Sequence, residues 1–446
     1  MDANNVANQE TLTAIDVVAG GDGTDTLKYV TVGGTALPAA RITGIEVIDI
    51  VSDGAVTADV QTIAGLATLT AYGASADVNI DTKANVTSIT VEGSGLLDIA
   101  IDDNGTTATL TSVSIKGVSD DGGNAADEID INSKVLTSLS LTDITQVDDT
   151  DDISSDATGT LTINLNNVSI GASDIIAASA TGAVVNTAGT KDIVIDDLDL
   201  GAAKTVTINA NTTGGSTIET TIDGLDIAEA TTLVIGGTGN LVLTAGTYTK
   251  LTSFDASGAS GNITLTAALA TDDGYTGGSG KDTLASVGAT TKGLTLGAGD
   301  DKVTLTVANL GTKGTIDGGD GTDTLAMTSA HAVTASGDLV GTTRLETKIS
   351  NFEKLEIAAA AVNVAASYDL AAFDDINYVV YNGTADDANA NIQTIDNFKS
   401  GGTLHYKAFA DATDSTVAII AGAAVSETDV LNAIKFTIKN GILKSN

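Results

Sequence analysis

Apolar residues recur in pairs at alternate positions through most of the chain: Leu69 and Ala71, Ile89 and Val91, Val113 and Ile115, Leu139 and Leu141, Leu161 and Ile163, Val206 and Ile208, Leu233 and Ile235, Phe254 and Ala256. Alternation with a period of two marks a half-buried strand. The pairs follow one another at steps of 20, 24, 26, 22, 45, 27 and 21 residues, the longest step holding two units with a weak rung near Val184. A second pair usually comes 7 to 10 residues after the first: Val78 and Ile80, Ile99 and Ile101, Val168 and Ile170, Ile193 and Ile195, Leu241 and Leu243, Ile263 and Leu265. Strands repeating at about 23 residues predict a parallel β-solenoid of about nine rungs over residues 61–270.

A leucine-rich horseshoe has a similar period. It is disfavoured by composition: the segments between strands are rich in Thr, Gly, Asn and Asp, with no amphipathic helical stretch and no regular Asn ladder position. Both long sides are therefore expected to be strand or turn.

A second repeat interrupts the first. The phrases GGDGTDTL at 20–27, GGSGKDTL at 277–284, LGAGDDKV at 296–303 and GGDGTDTL at 318–325 fit the nonapeptide G-G-x-G-x-D-x-U-x, with Leu296 in place of one first glycine. This nonapeptide builds a parallel β-roll around calcium. Its glycines allow the backbone to turn with positive φ, and its aspartate supplies a hard carboxylate. The copies beginning at Gly277, Leu296 and Gly318 lie 19 and 22 residues apart, close to the roughly 18 of a β-roll turn, and so stack as successive turns on one side. The intervening ASVGATTKG lacks the motif. The expected ligand set is Gly278, Gly280, Asp282, Gly297, Gly299, Asp300, Asp301, Gly319, Asp320, Gly321 and Asp323, with Asp22 and Asp25 in an upstream copy that has no stacking neighbour in sequence.

Two rungs carry acidic excursions, VSDDGGNAADEID at 118–130 and TDITQVDDTDDISSD at 142–156. Asp120, Asp121, Asp127, Asp149, Asp151 and Asp152 are oxygen donors for further divalent ions, or else members of solvated insertions. The overall charge points to the same ligand. With 58 acidic and 20 basic residues the net charge is −38, which argues against nucleic acid or an anionic membrane as partner and makes a cation the natural ligand. The chain has no Cys or Trp and a single Pro, so rigidity has to come from backbone ladders and metal. No apolar run is long enough to span a bilayer, and the opening MDANNVANQE lacks the regions of a cleaved signal peptide.

Four regions emerge: an N-terminal module with a calcium loop and closing strand (1–60), the solenoid (61–270), a calcium β-roll with closing strand (271–357), and a small α+β region (358–446). The closing strands ITGIEVIDI at 42–50 and ISNFEKLEI at 349–357 are an internal duplication, and their charges suit the capping of terminal rungs. In the last region SETDVLNAIKFTIKNG reads as a helix, with Ser426 as N-cap, a stripe of Val430, Leu431 and Ile434, and Gly441 as its stop.

No catalytic constellation is recognisable. The two histidines, His331 and His405, lie in no HExxH, no GxSxG is present, and GGSGK at 277–281 is followed by Asp where a phosphate loop needs Ser or Thr. The chain is expected not to be an enzyme.

The GGxGxD copies, the phrase LTSFDASGASGNITLTA at 251–267 and ISNFEKLEI together resemble the RTX-type surface-layer proteins of Gram-negative bacteria. The resemblance spans roughly residues 11–357. It implies export by a type I system, folding triggered by calcium outside the cell, and self-assembly into a two-dimensional lattice on the cell surface. In that family an N-terminal region anchors to lipopolysaccharide, and no such region is identifiable here. An RTX adhesin exported by the same route is the alternative, with residues 358–446 as its only candidate head. The long regular solenoid favours the lattice.

Overall fold

The computed structural model describes residues 12–445 except 83–84, 94–97, 104–106, 120–127, 146–151, 216, 338–343, 359–365, 375, 383–392, 399–401, 407–414, 422–432 and 440–441. The chain is all-β and forms a parallel β-solenoid in two compact units, Met1–Leu251 and Thr252–Asn446.

In the first unit one sheet holds ten strands, from Thr26–Thr31 to Thr232–Gly237, each paired in parallel with the strand one turn on. The alternating apolar pairs create it. Leu27, Ile48, Leu69, Ile89, Val113 and Leu139 lie in register, as do Tyr29, Ile50, Ala71, Val91, Ile115 and Leu141. Nearly all of these side chains are inaccessible to water. The second pairs form the opposing sheet, where Val78 stacks on Ile99 and Ile80 on Ile101. Ile129 and Ile131 then stack on Ile99 and Ile101, while residues 120–127 of the first acidic excursion lie outside the described residues.

Register departs from the sequence expectation at one place. Leu139 pairs with Ile163 and Leu141 with Leu165, two residues beyond the expected Leu161 and Ile163. Strand Thr160–Asn166 carries three buried residues, Leu161, Ile163 and Leu165, and a slip of two keeps every apolar side chain inside, so alternation alone does not fix the phase. The weak rung is supplied by Ala183 and Val185, and Val184 points outward, half-buried.

An asparagine ladder also exists, contrary to the expectation that there is none. Asn186 Nδ2 donates to Asn164 Oδ1 at 2.9 Å and Asn209 Nδ2 to Asn186 Oδ1 at 2.9 Å. These residues stand 22 and 23 positions apart on strands of unequal spacing, which hides them from a fixed-period search. They decorate the outer face of a sheet, and no helix accompanies them among the described residues of this unit.

The second unit repeats the plan. Phe254, Tyr275, Leu294, Ile316 and Ile349 stack through one sheet, and Leu265, Leu284, Val303, Leu325, Leu355 and Val379 through the other. The closing strands are not end caps. Val47–Ser52 is paired on both edges, and so is Lys354–Ala358, whose neighbours are Thr324–Thr328 and Tyr378–Asn382. The charges in FEKLEI are absorbed instead: buried Glu356 forms an ion pair with Lys302 at 2.8 Å.

A helix unforeseen in the sequence, Ser329–Gly337, follows the last glycine motif, with Thr328 Oγ1 accepting the His331 N–H at 3.3 Å in the manner of an N-cap. The helix expected at the C-terminus is not one over its second half. Residues Ala433–Lys439 form a strand, antiparallel to Ser415–Ala421 and Ile442–Ser445. IKFTIK, from Ile434 to Lys439, alternates apolar and polar with period two, and that pattern outweighs the shorter helical stripe. Ser426, Val430, Leu431 and Gly441 lie outside the described residues.

Candidate metal centre

The three downstream motifs sit on successive turns of the second unit, each feeding the first residue of a strand or the position just before it. Ile263 lies in register with Asp282, so the position that is apolar one turn earlier becomes a carboxylate within the motifs. Asp282, Asp301 and Asp323 are 1%, 1% and 0% exposed.

Their carboxylates form a column tied by backbone donors. The Asp282 N–H donates to Asp301 Oδ1 at 2.6 Å, and the Asp301 N–H to Asp323 Oδ1 at 2.8 Å. The Tyr275 hydroxyl donates to Asp282 Oδ2 at 2.7 Å. The remaining oxygens, Asp282 Oδ1, Asp301 Oδ2 and Asp323 Oδ2, are buried with no hydrogen-bond partner. An ionised oxygen left so is costly unless a proton or cation meets it. Burial accordingly pushes the carboxyl pKa values up, to about 6 for Asp282, about 7 for Asp301 and about 6 for Asp323, with the neighbouring carboxylates adding to the effect at Asp301.

Glycine is required around this column by space as well as by torsion. A Cβ on Gly277 would overlap the Leu296 carbonyl oxygen and the Asp282 carboxylate, and one on Gly318 the Asn351 carbonyl. Gly278, Gly297 and Gly319 press on one another's carbonyls through successive turns, as do Gly280, Gly299 and Gly321. Gly297, Gly299, Gly319 and Gly321 also have φ between 98° and 147°. The outcome is a set of carbonyl oxygens crowded beside buried carboxylates.

Calcium accepts six to eight oxygens, carbonyls included, so this donor set fits a hard divalent ion. Among the described residues no group of three or more His, Asp or Glu side chains is placed to hold a metal by itself. Any ion at the column therefore draws on backbone oxygens as well as on paired aspartates.

The other expected ligands are dispersed. Asp300 and Asp320 are exposed, and Asp300 Oδ1 accepts the Thr322 N–H at 3.0 Å. In the first unit Asp22 is exposed, while half-buried Asp25 accepts the Gly21 N–H at 2.7 Å. Asp120, Asp121, Asp127, Asp149 and Asp151 lie outside the described residues. Asp152 Oδ1 accepts the Asp174 N–H at 3.2 Å, and the Asp174 carboxyl is raised chiefly by burial and next by the Asp152 charge.

Three participants escaped sequence reading. Tyr275 looks like an ordinary strand residue, and only the register places its hydroxyl on Asp282. Glu46 and Glu353 are overlooked because they lie outside the glycine phrase: the Asp25 N–H donates to Glu46 Oε2 at 2.8 Å and the Asp323 N–H to Glu353 Oε2 at 2.7 Å. Their signal was the shared fifth position of ITGIEVIDI and ISNFEKLEI. No protein-family model matches the chain, and no match to it is found among curated proteins.

Proposed function

We propose that the chain is a calcium-dependent structural protein that self-assembles into a two-dimensional lattice on a bacterial cell surface. The observation that carries this reading is the column of three buried aspartates whose free oxygens have no partner. Ionised, such a column destabilises an apolar solenoid until a cation meets it. External calcium, at the roughly 0.1–1 mM affinity usual for extracellular modules, would then act as the folding trigger after type I export.

Charge distribution supports self-association. In the first unit the ten strands of one sheet carry only Lys28, Asp49, Glu92 and Lys116, two of each sign. The strands of the opposing sheet carry Asp59, Asp81, Asp102, Asp130, Asp196, Asp197, Asp199, Glu219, Asp223 and Asp226, with no basic residue. Two copies of a chain with net charge −38 repel along the acidic sheet but meet without penalty along the neutral hydroxyl and amide face. The adhesin alternative needs a separate head beyond residue 358. Strands Tyr378–Asn382 and Thr403–Tyr406 instead extend the sheet of the preceding turns, which favours the lattice.

Electron microscopy of the full chain with and without millimolar calcium tests the reading. Ordered sheets are expected only with calcium, and Ser114→Glu together with Ser140→Glu on the neutral face should leave folded single molecules. Isolated molecules from the unmodified chain at every calcium concentration would refute assembly.

A further inference from the structure

We infer that Glu353 completes a divalent-cation site at the end of the aspartate column, and that Glu46 holds the equivalent place beside the upstream glycine motif. The inference rests on the calcium reading above.

The two constellations share a set of bonds in separate units and differ at the aspartate, where Asp25 Oδ2 accepts the Gly21 N–H at 2.7 Å while Asp323 Oδ2 has no partner. Gly20 N–H donates to the Thr43 carbonyl at 2.9 Å, and Gly318 N–H to the Ser350 carbonyl at 2.9 Å. The next residues, Gly44 and Asn351, both adopt left-handed φ, 61° and 57°. Two residues further on stand Glu46 and Glu353, whose Oε2 atoms accept the Asp25 and Asp323 N–H groups. Val47 and Lys354 N–H then donate back to the carbonyls of Asp25 and Asp323, at 3.1 and 2.9 Å. Within the column, Asp301 treats Asp282 in the same way, with its carboxylate on the backbone N–H of the aspartate one turn earlier. Each glutamate thus occupies the place of the next aspartate.

Strand pairing sets this placement: Thr324 pairs with Lys354 and Thr26 with Val47, so Glu353 stands opposite Asp323 and Glu46 opposite Asp25. The independent sign of a ligand is Asp323 Oδ2, 0% exposed and without a hydrogen-bond partner beside Glu353. A purely structural glutamate would satisfy the N–H and leave that oxygen stranded. A cation between the two carboxylates meets both requirements.

Glu46→Gln and Glu353→Gln separate the two roles, because the amide oxygen still accepts the N–H while the charge is gone. Calcium bound to the full chain is counted by equilibrium dialysis with radioactive calcium, with circular dichroism as a check on folding in saturating calcium. Glu353→Gln should lose one ion, or hold it with a midpoint raised by more than roughly tenfold, and Glu46→Gln, beside an aspartate oxygen that is already hydrogen-bonded, is the comparison. An Asp301→Ala variant should lose ions independently of either glutamate. An unchanged count and midpoint in Glu353→Gln would overturn the inference and leave the aspartate column standing. A wild-type chain that binds no calcium would overturn both.

Discussion

Asp301→Asn should reverse its effect on stability between calcium-free and calcium-loaded protein. Asp301 sits between Asp282 and Asp323 at neighbouring turns, about 5 Å away on each side, where unit charges repel by about 3 kcal/mol per pair at an effective dielectric of 20. Burial and this repulsion raise its carboxyl from 3.8 to about 7. The raised folded-state value means that the calcium-free fold binds the extra proton between about pH 4 and about pH 7, so its stability falls as pH rises through that window. At about pH 8 the ionised side chain costs the metal-free fold on the order of 4 kcal/mol. Asparagine removes the charge and keeps an oxygen for the Asp282 N–H, although its buried amide group costs roughly 1–3 kcal/mol. The net gain in chelator is therefore about 1–3 kcal/mol. In millimolar calcium the same change removes a ligand and should destabilise. Circular dichroism reads the strand signal that the variant recovers in chelator, and urea transitions in calcium read the loss. No gain of strand signal in chelator, together with destabilisation in calcium, would refute the electrostatic reasoning and reduce the column to ordinary turn chemistry.

In chelator, the wild-type strand signal of residues 271–330 should grow on acidification from about pH 8 to about pH 5, because Asp282, Asp301 and Asp323 take up protons with folded values near 6, 7 and 6; calcium should abolish that pH dependence. Gly277→Ala should lower stability by at least about 2 kcal/mol in calcium, since the added carbon overlaps the Leu296 carbonyl, and a thermal melt reads this directly. Ile115→Ala, fully buried between Val91 and Leu141, should cost about 2–5 kcal/mol while leaving the calcium midpoint unchanged. Asp77→Ala on the exposed surface should change neither stability nor midpoint by more than about 0.5 kcal/mol.

The solenoid was legible because its physics is local. An apolar pair at alternate positions must face a core, and repetition of the pair forces one rung onto the next, so Leu69, Ile89, Val113 and Leu139 announce their own stacking. Phase was not legible where Leu161, Ile163 and Leu165 offered two equivalent registers. The aspartate column could be read from the glycine spacing, since few other requirements put Gly-x-Gly beside Asp three times in succession. Its closure could not. Glu46 and Glu353 belong to a different turn from the motif they serve, and only the pairing of Thr26 with Val47 and of Thr324 with Lys354 brings them together. The C-terminal difference has another cause: the helical stripe of three residues competes with an alternation of six, Ile434 to Lys439, and the longer pattern wins.

The most direct test of calcium binding at the stacked aspartates is a calcium titration of the chelated full chain at about pH 8, followed by far-ultraviolet circular dichroism. Strand signal should rise cooperatively at roughly 0.1–1 mM calcium, and its midpoint should move upward in Asp301→Ala but not in Asp77→Ala. Full strand signal in excess chelator, unchanged by added calcium, would contradict the account.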